Sequence, residues 1–235
     1  MTSSTTTASE KELYEPVSAF MRGRMGCKAT KINTGTRFGQ IDVLAIRTRT
    51  SDFASNDEVI AVEVKKGGTR FLNFLAQALS YSLYAHRVYL AWQRTSGAGY
   101  TQEEIDIASH FGVGLLEIDE SERVALISSS SKFQPERQYL MQAVQKLQYF
   151  ECSICRSVYP IEKLIELNQP GEVDLADDPN YRGRLADAIS QRRSSVYYLF
   201  ELSKDRGDSR TQVWDRRYLC KECSSIFASL LPKSV

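Results

Sequence analysis

Apolar positions along the chain change their period several times, and each change marks an element. From Ser9 onward, Leu13, Val17, Phe20 and Met21 recur at helical spacing, which predicts a helix ending near Gly23 or Gly26. Ser9 can cap that helix with Glu12 closing the reciprocal bond, and Pro16 lies near enough to the first turn to be tolerated. Lys28 to Thr34 and Gly39 to Arg47 read as strands, and the polar run Ser51 to Asp57 as the turn of a hairpin. Glu58 to Lys65 (EVIAVEVK) is rich in β-branched residues and predicts a central, buried strand. After Gly67-Gly68 the period turns helical again: Phe71, Leu72, Leu75, Leu79 and Leu83 define an amphipathic helix to about Ala85. Arg87 to Gln93 predicts a strand, Thr101 to Phe111 a helix, and Val113 to Ile118 another strand. The order α-β-β-β-α-β-α-β describes an α/β fold with a mixed central sheet flanked by helices.

Ser128 to Ser131 is a serine run and predicts a boundary, followed by a helix over 135–149 that leads into a cysteine-bearing segment. The expected division is a disordered Ser/Thr leader over 1–8, an α/β domain over 9–130, a connecting helix over 131–149, and a smaller domain over 150–235. A length of 235 residues accommodates two such domains, and 42% hydrophobic with 25% charged residues is the balance of a globular chain. Thirty basic and 29 acidic residues leave a net charge of +1, so any surface for nucleic acid has to be local. The start MTSSTTTASEKELY lacks the basic and apolar regions of a secretory signal, and no apolar run approaches the roughly 20 residues of a membrane span. Five cysteines, an odd number, fit a reducing compartment, hence a cytoplasmic location, better than a disulfide framework.

The chemistry concentrates in Gly39-Gln40-Ile41-Asp42 and Glu63-Val64-Lys65. On a strand Glu63 and Lys65 share a face while Val64 points into the opposite layer. If Asp42 lies on the neighbouring strand of the hairpin, two carboxylates and an ammonium meet at one edge of the sheet. Buried without partners, these charges would be very costly. Pairing or solvation at the strand ends is one resolution. A hard divalent cation is another: Mg²⁺ binds through a couple of carboxylates and keeps several waters. Lys65 would then position or deprotonate the attacking water, or stabilise charge in the transition state.

These residues in this setting (a Gly-x-Ile-Asp strand, a polar turn, an apolar strand ending in Glu-Val-Lys, then glycines and a helix) resemble the PD-(D/E)xK nuclease superfamily, whose fold is restriction-endonuclease-like. The resemblance covers about Ser9 to Ile118. It implies that Asp42 and Glu63 hold the catalytic Mg²⁺ or Mn²⁺, with Val64 offering a backbone carbonyl, and that Lys65 manages the water. Members often add a glutamate from the helix before the first strand, for which Glu12 and Glu15 are the candidates, Glu12 preferred. Some branches carry Gln-x-x-x-Tyr on the helix after the lysine strand, matched by Gln77 and Tyr81, which would support the lysine or contact the scissile strand. Ile41 stands where the motif's proline would be, a position at which the superfamily varies. The implied activity is phosphodiester hydrolysis, most naturally as a DNA endonuclease in the cytoplasm or at the nucleoid. RNA stays open as a substrate, and a homodimer or a larger nuclease complex is a natural assembly.

Cys152-x-x-Cys155 and Cys220-x-x-Cys223 are two knuckle-type pairs, and four thiolates satisfy tetrahedral Zn²⁺ completely. A closed site of that kind is structural, so a zinc-ribbon-like C-terminal domain with an inserted subdomain is expected. Cys27 is the leftover, expected to be a buried, inert thiol. The insert carries Arg182, Arg184, Arg192 and Arg193, a local patch for phosphate contact, although acidic neighbours balance the charge of the segment as a whole. Two other readings share these residues: an inactive scaffold that only binds nucleic acid, and a nuclease recruited through its zinc domain acting as a protein-interaction adaptor.

Overall fold

The computed structural model describes residues 9–37, 39–51, 54–94, 99–152, 157–167, 217–223 and 225. The chain forms two compact units, Met1–Leu147 and Gln148–Val235. In the first, a 3-10 turn (Glu10–Leu13) runs into α1 (Tyr14–Gly23), followed by β1 (Ala29–Thr36), β2 (Gly39–Ser51) and β3 (Ala54–Lys66). Then come α2 (Phe71–Ser80), β4 (Arg87–Gln93), α3 (Gln102–His110), β5 (Gly114–Ile118), β6 (Val124–Ser128) and α4 (Arg137–Lys146). The six strands lie in sequence order in one sheet. β1, β2 and β3 are antiparallel, β3, β4 and β5 parallel through their helical crossovers, and β5 and β6 antiparallel. This is the mixed α/β sheet flanked by helices that the apolar periods predict.

Alternation along the central strands builds two apolar layers. Val43, Ala45, Ile60, Val62, Val64, Tyr89 and Ala91 pack in one cluster with Leu13, Val17 and Met21 of the N-terminal helical segment. On the opposite face Phe71 of α2 stacks on Trp92 of β4, with ring centroids 6.2 Å apart. Val64 therefore belongs to the α1 layer, and Asp42, Glu63 and Lys65 to the other.

Three local expectations are corrected. The hairpin strands extend to Ser51 and resume at Ala54, so the polar run is mostly strand rather than turn. Ser9 makes no side-chain cap: the Glu12 N–H instead bonds the Ser9 carbonyl at 3.0 Å in a 3-10 turn. The serine run is not a linker. Ser128 ends β6, a sixth strand, and the buried Ser130 hydroxyl accepts the Val88 N–H at 3.0 Å and donates to the Gly112 carbonyl at 3.1 Å. A Cβ at Gly114 would lie 2.3 Å from Tyr89 Cε1 and 2.7 Å from the Ser130 nitrogen, so the serine segment closes onto a position only glycine fits.

In the second unit β7 (Tyr149–Glu151) pairs antiparallel with β8 (Val158–Pro160), and β9 (Leu164–Leu167) with β10 (Arg217–Cys220). Cys152 forms a bridge with Tyr218. Arg182, Arg184, Arg192 and Arg193, the leader over 1–8, and Cys155 lie outside the described residues.

Candidate active site

Two ladders lapse at Asp42. The β2–β3 register runs as far as Val43 opposite Val62, and its next pair would be Asp42 opposite Glu63. On the other side the β1–β2 register passes from Ile32–Val43 to Thr34–Ile41, stepping over Asn33, whose φ is 55°. Asparagine is among the residues that tolerate this left-handed conformation. In the opening the Asp42 carboxylate takes the place of a strand acceptor: the Val64 N–H donates to its Oδ2 at 2.8 Å. Its Oδ1 accepts the Tyr14 hydroxyl, also at 2.8 Å.

Glu63 is enclosed as tightly, 3% exposed against 7% for Asp42. Its Oε1 pairs with the Lys65 ammonium at 2.7 Å, and its Oε2 accepts the Tyr81 hydroxyl. Tyr81 Oη also lies 2.5 Å from the Gln40 carbonyl. One phenolic proton thus faces two acceptors, which holds the ring rigidly between β2 and β3. Lys65 has a second carboxylate, Glu10 Oε1, at 3.4 Å. The cluster contains three acids, Glu10, Asp42 and Glu63, and one cation.

That imbalance shows in the titration of the groups. Burial, then the charge of Glu63, pushes the Asp42 pKa up to about 6 against the bonds from Val64 and Tyr14 and the charge of Lys65. Burial works against the Lys65 ammonium too, but Glu63, then Glu10 and Asp42, outweigh it and raise its pKa. In this arrangement Lys65 is a cation rather than a free base, which favours charge stabilisation over deprotonation of water. Burial and the adjacent carboxylates also raise the pKa of Tyr14 and Tyr81, so both phenols remain donors.

The structure thus brings Asp42, Glu63 and Lys65 together and corrects the residues around them. Glu12 is exposed, and Glu15 is spent on a surface pair with Arg22 at 2.6 Å. The carboxylate from this segment that reaches the lysine is Glu10. Glu10 precedes Leu13, Tyr14 and Val17 on the face that packs on the sheet, whereas Glu12 lies on the exposed side. Gln77 stands exposed on α2 with no side-chain bond among the described residues. Tyr81 is 9% exposed and committed to Glu63 and Gln40, so it positions a carboxylate and is not an open contact for nucleic acid. The Val64 side chain is core, and its N–H is the group that meets Asp42. Sequence reasoning passed over Tyr14, whose only signal is a hydroxyl-bearing ring on the core-facing stripe of the first helix.

In the second unit the sulfurs of Cys152, Cys220 and Cys223 lie within 4.8 Å of one another, all three residues buried, in a group that can hold a metal ion. Backbone N–H groups point at them: Cys220 N–H to Cys152 Sγ at 3.4 Å and Cys223 N–H to Cys220 Sγ at 3.5 Å. Among the described residues no acidic trio is drawn together as closely. Cys27 is apart from this group, buried, its thiol pushed up to about 11 by burial against the opposing charge of Arg47.

No family model matches the chain, and no curated protein matches it. Among solved structures it is similar to SPO1766, a protein of unknown function from Silicibacter pomeroyi, with a TM-score of 0.40 and 14% identity over 60% of this chain and 85% of that one. The functional reading therefore rests on the chemistry of the site. No helix among the described residues is long and apolar enough to cross a membrane.

The Asp42 shift fixes a pH dependence. Its folded pKa of about 6 lies above the ordinary 3.8, so the native state holds this proton more tightly than the unfolded chain. The stabilisation is fully present at low pH and is lost as pH rises from near 4 through about 6. In metal-free buffer the wild type should lose on the order of 2 kcal/mol relative to Asp42→Asn across that window, measured by urea unfolding at both ends. A constant difference between the two proteins would show that Asp42 does not titrate in this environment.

Proposed function

We propose that this chain is a metal-dependent nuclease, hydrolysing phosphodiester bonds with DNA as the favoured substrate, and that Asp42, Glu63 and Lys65 are its reacting centre. The observation that carries the reading is the Asp42 carboxylate seated just past the last β2–β3 pair, where the charge of Glu63 bears on it and the Lys65 ammonium pairs with Glu63 at 2.7 Å. Fold alone would not carry it. The donor set fits a hard divalent cation. Three carboxylates against one ammonium leave a surplus of negative charge in an enclosed site, and each of the two central carboxylates retains oxygen lone pairs after its hydrogen bonds.

Asp42 and Glu63 would hold Mg²⁺ or Mn²⁺, which when bound supplies a Lewis acid and an activated water. The remaining work falls to the chain itself. Tyr14 and the Val64 N–H fix the Asp42 carboxylate, and Tyr81 fixes Glu63. Lys65, steered by Glu63 and Glu10, presents a positive charge to the phosphoryl oxygens as negative charge builds on them. A second reading, an inactive scaffold that binds nucleic acid without cutting it, draws on the near-complete enclosure of both carboxylates.

For the second unit we propose a structural Zn²⁺ held by Cys152, Cys220 and Cys223 with Cys155 as the fourth thiolate, in a zinc-ribbon-like domain. The N–H groups aimed at sulfur support it, because such bonds stabilise thiolates around a metal. Four thiolates close the coordination sphere, so the ion would tie the segment together without doing chemistry.

Nicking of supercoiled plasmid tests the first proposal. Asp42→Ala and Lys65→Met should each slow Mg²⁺-dependent nicking by about 100-fold or more while circular dichroism stays that of the wild type. Full activity in Asp42→Ala would remove the assignment, and wild-type binding without nicking in Mg²⁺ or Mn²⁺ would select the scaffold. Elemental analysis tests the second. The purified protein should carry zinc at one per chain, and Cys220→Ser should lose it; zinc-free wild type, or zinc undiminished in the variant, would contradict the site.

A further inference from the structure

Charge is distributed unevenly around the acid–lysine cluster. No acidic residue occurs between Glu15 and Asp42 or between Glu63 and Glu103, and each interval carries five basic ones. A third of the 30 basic residues thus fall where none of the 29 acidic ones do, which the net charge of +1 conceals. In the second interval most cations are committed: Lys65 to Glu63 and Glu10, Arg87 to Glu58, and Arg94 to Glu104. The first interval differs. Arg22 pairs with Glu15, but Arg24, Lys28 and Lys31 are exposed and make no side-chain hydrogen bond or ion pair among the described residues. The whole stretch around them, from Ser9 to Arg37, is described.

These three side chains stand on the loop after α1 and on β1, an edge strand of the six-stranded sheet. Lys31 pairs with Leu44, two positions along β2 from Asp42. Cross-strand partners share a face, so Lys31 lies on the Asp42 face of the sheet, at the diagonal spacing of about 7–8 Å. Arg37, also exposed, follows β1 where the hairpin turns. At about 3.3 Å per residue the edge from Lys28 to Arg37 is about 30 Å long, close to one turn of a duplex. Lysines on an edge strand also discourage pairing with another chain. That role accounts neither for Arg24, which precedes the strand, nor for the missing acids.

We propose that the β1 edge is a docking track for the phosphate backbone of DNA, with Arg24, Lys28 and Lys31 as its cations and Lys31 nearest the acids. Glu10, Asp42 and Glu63 around one ammonium repel a polyanion, so affinity for one has to come from outside the cluster. The unpaired N–H groups of an edge strand add neutral donors for phosphate oxygens. Such contacts fix position and affinity and carry no base sequence. The choice of DNA among polyanions rests on the nuclease reading, whereas the binding itself requires no cleavage.

Fluorescence anisotropy of a labelled DNA duplex of about 20 base pairs, with the intact protein and no added divalent cation, tests the track over a series of salt concentrations. Arg24→Gln/Lys28→Gln/Lys31→Gln should weaken binding about tenfold or more near 0.1 M NaCl and flatten the slope of log K against log salt by about three. Its thermal midpoint should stay that of the wild type, because none of the three has a partner to lose. Arg123→Gln/Lys132→Gln/Lys163→Gln removes the same charge from exposed positions off this edge and should keep the wild-type slope. Equal loss in both variants, an unchanged slope in the edge variant, no duplex binding by the wild type, or capture by phosphatidylserine vesicles in preference to duplex would overturn the proposal. If the slopes behave as expected and the wild type still fails to nick plasmid, the track stands and the cleavage reading falls; nicking with an unchanged slope in the edge variant does the reverse.

Discussion

Asp42 accepts the Val64 N–H at the point where β2 and β3 stop pairing, and the rest of the site is arranged around that bond. An ordinary ladder there would direct the amide to a backbone carbonyl and leave Asp42 a side chain on a regular strand. With the side chain in the ladder, the carboxylate is drawn in between β2 and β3, where burial and Glu63 both resist its ionisation. Tyr14 from one layer and Tyr81 from the other close over the two acids, so α1 is tied to the Asp42 carboxylate and the end of α2 to that of Glu63. The cost of placing two carboxylates opposite one another is met locally by Lys65 and only in part.

A second buried acid shows what full compensation looks like. Glu58, on the other apolar layer and toward the opposite end of β3, accepts Arg47 at 3.0 and 2.7 Å and Arg87 at 3.4 and 3.2 Å. Burial opposes its ionisation as well, yet the two guanidinia hold its pKa below the usual carboxylate value. The same sheet therefore carries an acid with two cations at one place and three acids with one cation at another. The first is complete as folded and works as a bracket across β2, β3 and β4. The second has capacity left for a positive charge, which is the property a metal-dependent site requires.

Much of this was legible in the sequence because it depends on period alone. Alternation placed Glu63 and Lys65 on one face and Val64 on the other, and the β-branched run from Val59 to Val64 marked the central strand. What was not legible depends on long-range closure. Glu10 precedes the buried stripe of Leu13 and Val17 by one turn, and only its contact with Lys65, 55 positions away, sets it apart from Glu12. β6 escaped because Ala125, Leu126 and Ile127 are all exposed on this edge strand, so burial leaves no alternating trace. The serines after it have the composition of a linker, and only their bonds to Val88 and Gly112 show them to be part of the sheet's support. The ladder gap at Asn33 and Asp42, which positions the aspartate, is a tertiary feature with no signature in either strand.

The central claim is that the Asp42–Glu63 cluster is short of one divalent cation. Titration of the zinc-loaded protein with Mn²⁺, followed by loss of the free ion's electron paramagnetic resonance signal, addresses it without any substrate. The wild type should take up one Mn²⁺ per chain in a manner that Mg²⁺ competes away, and Glu63→Gln should abolish that uptake. Equal uptake by both proteins, or none by the wild type, would mean that the acids are satisfied as they stand and that the site is not a metal centre.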